Sequence, residues 1–260
     1  MGLSNSPALA NIGGTERCDA LQVDAGCASN GVKLRDITVY PIAHFDAAAG
    51  AEITDKVFLD ISSVGRELGR IEIGLFGRLA PKSAAVFRSM CEGKYDQGNA
   101  PLGYAGSTLF RVNLNEALYM GRLAKGAAVR TENYIDNTGR VRARRLSAAD
   151  STLNGEEESL PIDQAGLLLM KKGGGTFEFV IKPAPGSPKY LVDDYLVVGQ
   201  VTSGMDVIAR LNFLPVNQPT PYKDSFILAG KLIKDKRATA AADDVNKPLT
   251  KTVIRGTGLI

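Results

Sequence analysis

The stretch Lys56-Val57-Phe58-Leu59-Asp60-Ile61-Ser62 decides the fold, together with Gly69-Arg70-Ile71-Glu72-Ile73-Gly74-Leu75-Phe76-Gly77 a few residues later. In both stretches an apolar residue occupies every second position, which is the spacing of a strand with one buried face. These residues are Val57, Leu59 and Ile61, then Ile71, Ile73 and Leu75. Because glycines bound the turn between the two series, the pattern predicts a β-hairpin over residues 56–76.

A helix is predicted directly after this hairpin. Pro81 suits a first helical position, Gly93 suits the end, and Ala84, Phe87, Met90 and Cys91 repeat at helical spacing between them. A second helix is predicted over residues 204–212, with Ser203 as its cap. Further strands are predicted at 37–40, 108–112, 117–120, 167–170, 177–181, 196–201 and 226–233.

Many short strands with only two helices favour a closed antiparallel barrel over a parallel sheet. We expect an irregular N-terminal arm over 1–54, the barrel domain over 55–235 and a C-terminal tail over 236–260. Residues 122–165 are polar and are predicted to be loop. They contain a basic run at 140–145 and an acidic run at 156–158, each of which is either a docking patch or, more simply, a solvated face.

Composition excludes several classes of function. Of the 260 residues, 44% are hydrophobic and 23% are charged, as in ordinary globular proteins. Trp is absent and His44 is the single histidine, which argues against a histidine-built metal site or a Ser-His-Asp triad. The net charge of +3 and the absence of an aromatic platform beside the basic run argue against nucleic acid as a partner.

Two more blocks carry a resemblance to a known family: Gly106-Ser107-Thr108-Leu109-Phe110-Arg111-Val112 and Tyr195-Leu196-Val197-Val198-Gly199-Gln200-Val201. In this order after the hairpin, the blocks resemble the cyclophilins, the cyclosporin-binding prolyl isomerases, over about residues 55–235. The resemblance implies a mainly β fold, a closed eight-stranded antiparallel barrel capped by two helices. It also implies a protein that needs neither a metal nor a cofactor.

Arg111 is the residue through which such a protein would act. Rotation about the peptide bond before a proline must cross a barrier of about 18–20 kcal/mol. A donor near the prolyl nitrogen draws its lone pair out of resonance and lowers this barrier. In cyclophilins an arginine on the strand after a Gly-Ser supplies the donor, and Arg111 falls at that position.

The surrounding positions depart from the family pattern. Where the family has a glutamine, a pocket phenylalanine, a tryptophan and a pocket histidine, this chain has Tyr119, Val180, Tyr190 and Tyr195, while Leu191 matches. The family's M-A-N-A-G motif becomes Met170-Lys171-Lys172-Gly173-Gly174. The predicted substrate-binding residues are therefore Tyr119, Met170, Glu178, Val180, Tyr190, Leu191 and Tyr195.

These replacements predict a weakened proline pocket. Each lost ring removes about 1–3 kcal/mol of apolar contact, and a carboxylate of Glu116 or Glu178 paired with Arg111 would occupy its donors. We therefore expect a protein-binding domain derived from an isomerase, weak or inactive, that serves as a subunit or assembly factor of a larger complex. The alternative is an active peptidyl-prolyl isomerase that uses Arg111.

We expect protein partners, either a proline-containing segment or subunits that contact the arms, and no self-association. Deletion of residues 1–50 is expected to leave the barrel stable. No apolar run is long enough to span a bilayer, so a membrane complex could be met only from its periphery. Divergent plastid cyclophilins have similar arms, which suggests the chloroplast, in the thylakoid lumen, with the cytoplasm as the alternative. Cys18 and Cys27 could form a disulfide or remain free thiols.

Overall fold

The computed structural model describes residues 37–42, 51–95, 101–123, 129–135, 138–147, 160–173, 177–218, 221–232 and 244–260. The arm residues 1–36, with Cys18 and Cys27, and His44 and the acidic run 156–158 lie outside the described residues. The elements are β1 (Asp55–Ser63), β2 (Arg66–Leu75), α1 (Pro81–Glu92), β3 (Thr108–Leu109), β4 (Arg111–Asn113), β5 (Ala117–Met120), β6 (Val129–Ile135), β7 (Val141–Ser147), β8 (Leu167–Lys171), β9 (Phe179–Ile181), α2 (Lys189–Asp194), β10 (Tyr195–Ser203), α3 (Met205–Asn212), α4 (Pro221–Leu232) and β11 (Thr252–Leu259).

Nine of these strands form one antiparallel sheet, in the order β3-β11-β1-β2-β10-β8-β9-β5-β4. The two ends of this order, β3 and β4, are successive parts of one chain segment with only Phe110 between them. The sheet therefore curls into a nearly closed barrel, and β3 and β4 together act as a single strand. This confirms the predicted mainly β barrel.

The predicted β1–β2 hairpin is present. Val57 pairs with Ile73 and Leu59 with Ile71, and all four side chains are fully buried. Val64 and Gly65 form the turn with φ of +50° and +78°. Positive φ at both central residues is typical of the two-residue turns that join antiparallel strands, because the twist of such a turn matches that of the strands.

Both predicted helices form. α1 begins at Pro81 and ends at Glu92, and the next residue, Gly93, caps it with a left-handed backbone and donates its N–H to the carbonyl of Met90. α3 begins after Gly204, and no side chain caps it, so the predicted capping role of Ser203 is wrong. α2 and α4 were not predicted.

The predicted strand at 226–233 and the predicted C-terminal tail are both corrected. Residues 221–232 form α4, in which Ile227 and Gly230 are buried while Phe226 and Leu228 are exposed, a spacing of three that belongs to a helix. The closing strand is β11, near the C-terminus, which pairs with β1 from Val57–Leu259 to Ser63–Thr252. The barrel thus extends beyond the predicted boundary at residue 235.

Two smaller predictions also differ from the structure. The polar segment 122–165 contains the hairpin β6–β7, a separate two-stranded sheet in which β7 carries most of the basic run. Residues 37–40 form no strand, but Tyr40 and Ile42 pack against the barrel core. Deletion of residues 1–50 would therefore remove two core contacts, contrary to the expectation of a barrel left unaffected.

The core has two parts. The interior cluster fills the barrel and includes Phe87, Tyr104 and Phe179, whose rings lie 4.9–5.0 Å apart. The outer cluster lies on one outside face and includes Leu167, Leu169, Val180 and Leu191. Because both faces of this wall are buried, β8 is an uninterrupted apolar run from Leu167 to Met170.

Tyr104→Phe tests how strongly the interior cluster depends on its one hydroxyl. Tyr104 is fully buried, and its hydroxyl donates to the carbonyl of Phe177 at 2.8 Å. The substitution leaves that carbonyl without its donor, so the free energy of unfolding should fall by about 1–2 kcal/mol in urea denaturation. Tyr95→Phe keeps the ring contact of 5.0 Å with Phe177 and should change stability by less than about 0.5 kcal/mol. Equal losses in the two variants would contradict the assignment.

Candidate functional site

Arg111 lies on β4, half-buried, directly opposite Tyr119 of β5. The guanidinium carbon is 5.8 Å from the centroid of the Tyr119 ring. Its Nε is buried, and among the described residues no acceptor meets it. The cation that would act on a prolyl nitrogen is therefore positioned by packing and not held by a carboxylate.

The expectation that Glu116 or Glu178 would pair with Arg111 is wrong. Glu178 instead accepts from Arg122, with 2.8 Å between Oε1 and Nε, and the Arg122 guanidinium stacks 3.5 Å above the Phe110 ring. Glu116 accepts from the hydroxyl of Tyr190 at 2.8 Å. Register explains the error, because the pairing of the strands brings Tyr119 to the arginine and leaves each carboxylate nearer another donor.

The site has an apolar floor that belongs to the outer cluster. Ala117, Val180 and Leu191 form it, and each has no exposed surface. Val180 lies between Tyr119 of β5 and Leu169 of β8 in the strand register. A proline ring could reach this floor only if the side chains above it moved.

We call Tyr119 and Tyr195 the cover, because both pack on the outer cluster. Their rings meet edge to face with centroids 6.4 Å apart. The centroid of the Phe110 ring lies 5.9 Å from that of Tyr119. The cover is therefore a row of aromatic contacts that shields the floor next to Arg111.

We call Tyr190, Glu116 and Asn113 the rim. Tyr190, on α2, is 38% exposed and donates to Glu116, which lies in the loop before β5. Its oxygen accepts from Nδ2 of Asn113 at 3.2 Å. The rim thus joins α2 to both ends of the loop between β4 and β5.

Burial controls the ionisation of the three tyrosines. It raises the pKa of Tyr119, and the neighbouring Tyr190 raises it further. Burial, followed by Tyr119 and Glu178, raises the pKa of Tyr195 to about 12. Burial also raises the pKa of Tyr190, with opposed contributions from Asn113, which lowers it, and Glu116, which raises it. All three phenols are therefore neutral near pH 7 and can act as hydrogen-bond donors.

Of the predicted binding residues, Tyr119 lies against Arg111, and Val180, Leu191 and Tyr195 belong with it to the outer cluster. Tyr190 lies beside this group, bonded to Glu116. Met170 is not among them, because it alternates with Leu169 and belongs to the interior cluster. Glu178 lies beside this group, paired with Arg122.

Sequence reasoning missed three contributors. Phe110 and Arg122 form a stacked pair beside the cover, although nothing in their spacing indicates a contact.

The third missed residue is Lys182, which follows Val180 on the same strand face and is fully buried. Its Nζ donates to the carbonyl of Gly186 at 2.7 Å. Burial lowers the pKa of Lys182. This bond braces the loop that leads to α2 and therefore to Tyr190. The strand alternation predicts that the residue two positions after Val180 is buried. Because that residue is a lysine, which is usually exposed, its identity indicated the opposite.

Two features of the described residues bear on other functions. They contain no group of three His, Cys, Asp or Glu side chains that could hold a metal ion. None of their helices combines the length and the apolar character needed to cross a membrane.

Comparison with known proteins gives a family match. Residues 58–231 match the model of the family described as cyclophilin type peptidyl-prolyl cis-trans isomerase/CLD. The peptidyl-prolyl cis-trans isomerase CYP21-1 of Arabidopsis thaliana is 29% identical over 160 residues, 60% of this chain and 64% of that protein. The peptidyl-prolyl cis-trans isomerase CYP26-2, chloroplastic, of the same plant is 29% identical over 80% of this chain and 70% of its own length.

A relative that is named as probably inactive also matches. The probable inactive peptidyl-prolyl cis-trans isomerase-like 6 of Bos taurus is 29% identical over 66% of this chain. This chain spans 53% of the length of the bovine protein and 64% of the first plant protein, less than two thirds of either.

The raised pKa of Tyr195 predicts a loss of stability at high pH. A phenol that binds its proton more tightly in the folded state favours folding fully below its unfolded pKa of about 10. That contribution disappears as the pH rises from there towards the folded value of about 12. Tyr195→Phe should therefore lose less stability than the parent chain between about pH 8 and about pH 11 in urea denaturation.

Phe110→Leu, which removes a ring in contact with the cover but no phenol, is the matched control and should follow the pH dependence of the parent chain. An equal decline in Tyr195→Phe and the parent chain would contradict the position of the Tyr195 phenol in the cover.

Proposed function

Because the chain belongs to the cyclophilin-type peptidyl-prolyl cis-trans isomerase family, we propose that it is a cyclophilin-like protein-binding domain with weak isomerase activity. The observation that carries the proposal is the fully buried floor of Ala117, Val180 and Leu191 beneath the cover. A proline ring that reached the floor would gain about 0.8 kcal/mol per buried methylene, or about 2 kcal/mol in all. Access to this contact requires displacement of Tyr119 or Tyr195.

Residual activity is assigned to Arg111. A guanidinium aimed at the prolyl nitrogen weakens the double-bond character of the peptide C–N bond, and it needs no nucleophile or metal to do so. The absence of a paired carboxylate among the described residues supports this role. The same observation favours the second candidate, an active peptidyl-prolyl isomerase, if the cover opens readily for a peptide.

We further propose that the domain works as a subunit or assembly factor of a larger complex in the plastid, with the thylakoid lumen as the finer location. The word chloroplastic in the name of one relative supports the plastid location, and the name of the bovine relative, probable inactive, supports a domain that binds more than it catalyses. Import into isolated chloroplasts followed by fractionation tests the location. Recovery of the protein only outside the organelle would contradict it.

Removal of the cover should raise activity. Tyr119→Ala exposes the floor, so kcat/KM for a proline tetrapeptide should increase about tenfold, the equivalent of about 1.4 kcal/mol of recovered contact. Tyr119→Phe retains the ring over the floor and should leave kcat/KM within about twofold. Exchange NMR on the peptide measures both variants. An unchanged rate in Tyr119→Ala, or parent turnover equal to an ordinary cyclophilin assayed beside it, would contradict the proposal.

Arg111→Ala should remove the activity that remains. Loss of one oriented donor lowers rates by about a hundredfold, and the effect is clearest in the Tyr119→Ala background, where turnover is highest. Arg78→Ala, which removes an exposed arginine paired with Glu52, is the matched control and should have no effect. Activity that survives Arg111→Ala would assign the chemistry to another residue.

A further inference from the structure

The segment 244–250, just before β11, lies along the side of β4 that β5 leaves open. The N–H of Val112, next to Arg111, donates to the carbonyl of Asn246 at 2.9 Å. The segment is held in turn by the chain after α3: Asn246 N–H donates to Asn217, Asn217 N–H to Lys247, and Leu249 N–H to Pro215, at 2.9–3.0 Å. A strand side with free backbone groups is thereby covered by a fixed piece of chain.

The side chain of Asn246 continues from this backbone contact into the rim. Its Nδ2 donates to Oδ1 of Asn113 at 3.0 Å. Nδ2 of Asn113 donates to Tyr190, and Tyr190 donates to Glu116. Three side-chain hydrogen bonds in series therefore connect a residue near the C-terminus to the carboxylate at the edge of the floor.

We infer that Asn246 is a positioning residue of the candidate site, which sets Asn113 and, through it, the Tyr190–Glu116 part of the rim. The inference rests on the proposed function, and the rim meets the cover where the side chains of Tyr190 and Tyr119 interact. It assigns to the C-terminal segment a part in closing the site in addition to its part in covering β4. Asn246 itself makes no contact with the floor.

Asparagine suits both requirements of this position. Its backbone has φ of +58°, a left-handed conformation that asparagine and glycine tolerate better than other residues. Its amide supplies the donor that fixes Asn113. Glycine would keep the backbone conformation and the hydrogen bond from Val112 and remove only the side-chain amide. Asn246→Gly therefore tests the role of the amide without changing the backbone contact to β4, the strand of Arg111.

Asn246→Gly should loosen the rim without disturbing Arg111. The Kd of a proline tetrapeptide, measured by NMR titration, should fall about two- to tenfold, the range that one hydrogen bond contributes. The kcat from exchange NMR should stay within about twofold. Tyr190, followed by NMR of labelled tyrosine, should titrate at higher pH, because the Asn113 bond that lowers its pKa is weakened while Glu116 and Tyr119 remain beside it.

Asn217→Gly is the matched control. Asn217 pairs with the segment only through its backbone among the described residues, so its substitution should change neither peptide Kd nor the Tyr190 titration. A melting curve for each variant shows that it is folded. If Asn217→Gly produced the same changes, general loosening of the segment would account for them, and the role of the Asn246 amide would be overturned.

A double-mutant cycle completes the test. If Asn246 acts through Asn113, then Asn113→Ala should reproduce the changes, and the double variant should show no more than the larger single effect. Additive effects, or an unchanged Tyr190 titration in Asn246→Gly, would overturn the inference. Failure of Tyr119→Ala to raise activity would contradict the proposed function instead, and the Tyr190 titration would still decide the role of Asn246.

Discussion

The wall formed by β8, β9 and β10 must bury apolar side chains on both faces, and the site depends on this constraint. Leu168 and Met170 point into the interior cluster, while Leu169 and Val180 belong to the outer cluster. The outer face is as apolar as a core, so water must be kept from it by a ligand or by the protein itself. In this structure the tyrosines of the cover do so.

Closure of the floor by internal side chains links stability to function. Packing of Tyr119 and Tyr195 on the outer cluster stabilises the fold and also occupies the space that a proline ring would need. Tyr190 of the rim interacts with Tyr119 and is itself bonded to Asn113 and Glu116, so the rim links the cover to α2 and to the loop before β5. Sites that give up stability for access show the opposite balance.

The sequence indicated the local elements and missed those that depend on distant pairing. The β1–β2 hairpin and α1 carry their periodicity and their turn or cap residues within a short window. β11 pairs with β1 across almost the whole domain, as in Val57–Leu259, and no local pattern reports such a partner. The short apolar run at 226–233 fitted a strand, but its burial follows helical spacing, because short runs do not distinguish the two periods.

For the site, too, the sequence indicated local features and missed contacts between distant residues. The resemblance singled out Arg111 and the residues around the floor as candidates, since these follow fixed offsets in the strands. It could not give the partners of Glu116 and Glu178, because these depend on which donors the folded strands bring within hydrogen-bond distance. The bond between Asn246 and Asn113 spans 133 residues and joins two asparagines that look like ordinary loop residues.

The Nε of Arg111 is buried and meets no acceptor among the described residues, which gives the closed site a chemical feature besides its apolar floor. The Tyr119 ring, 5.8 Å from the guanidinium carbon, is the contact that the described residues offer this cation. On the proposed function, a peptide that displaces Tyr119 takes away that contact and can supply a carbonyl or prolyl nitrogen in its place. The exchange favours ligands that carry an acceptor for Arg111, because a purely apolar ligand would displace the Tyr119 ring without offering the guanidinium a contact in its place.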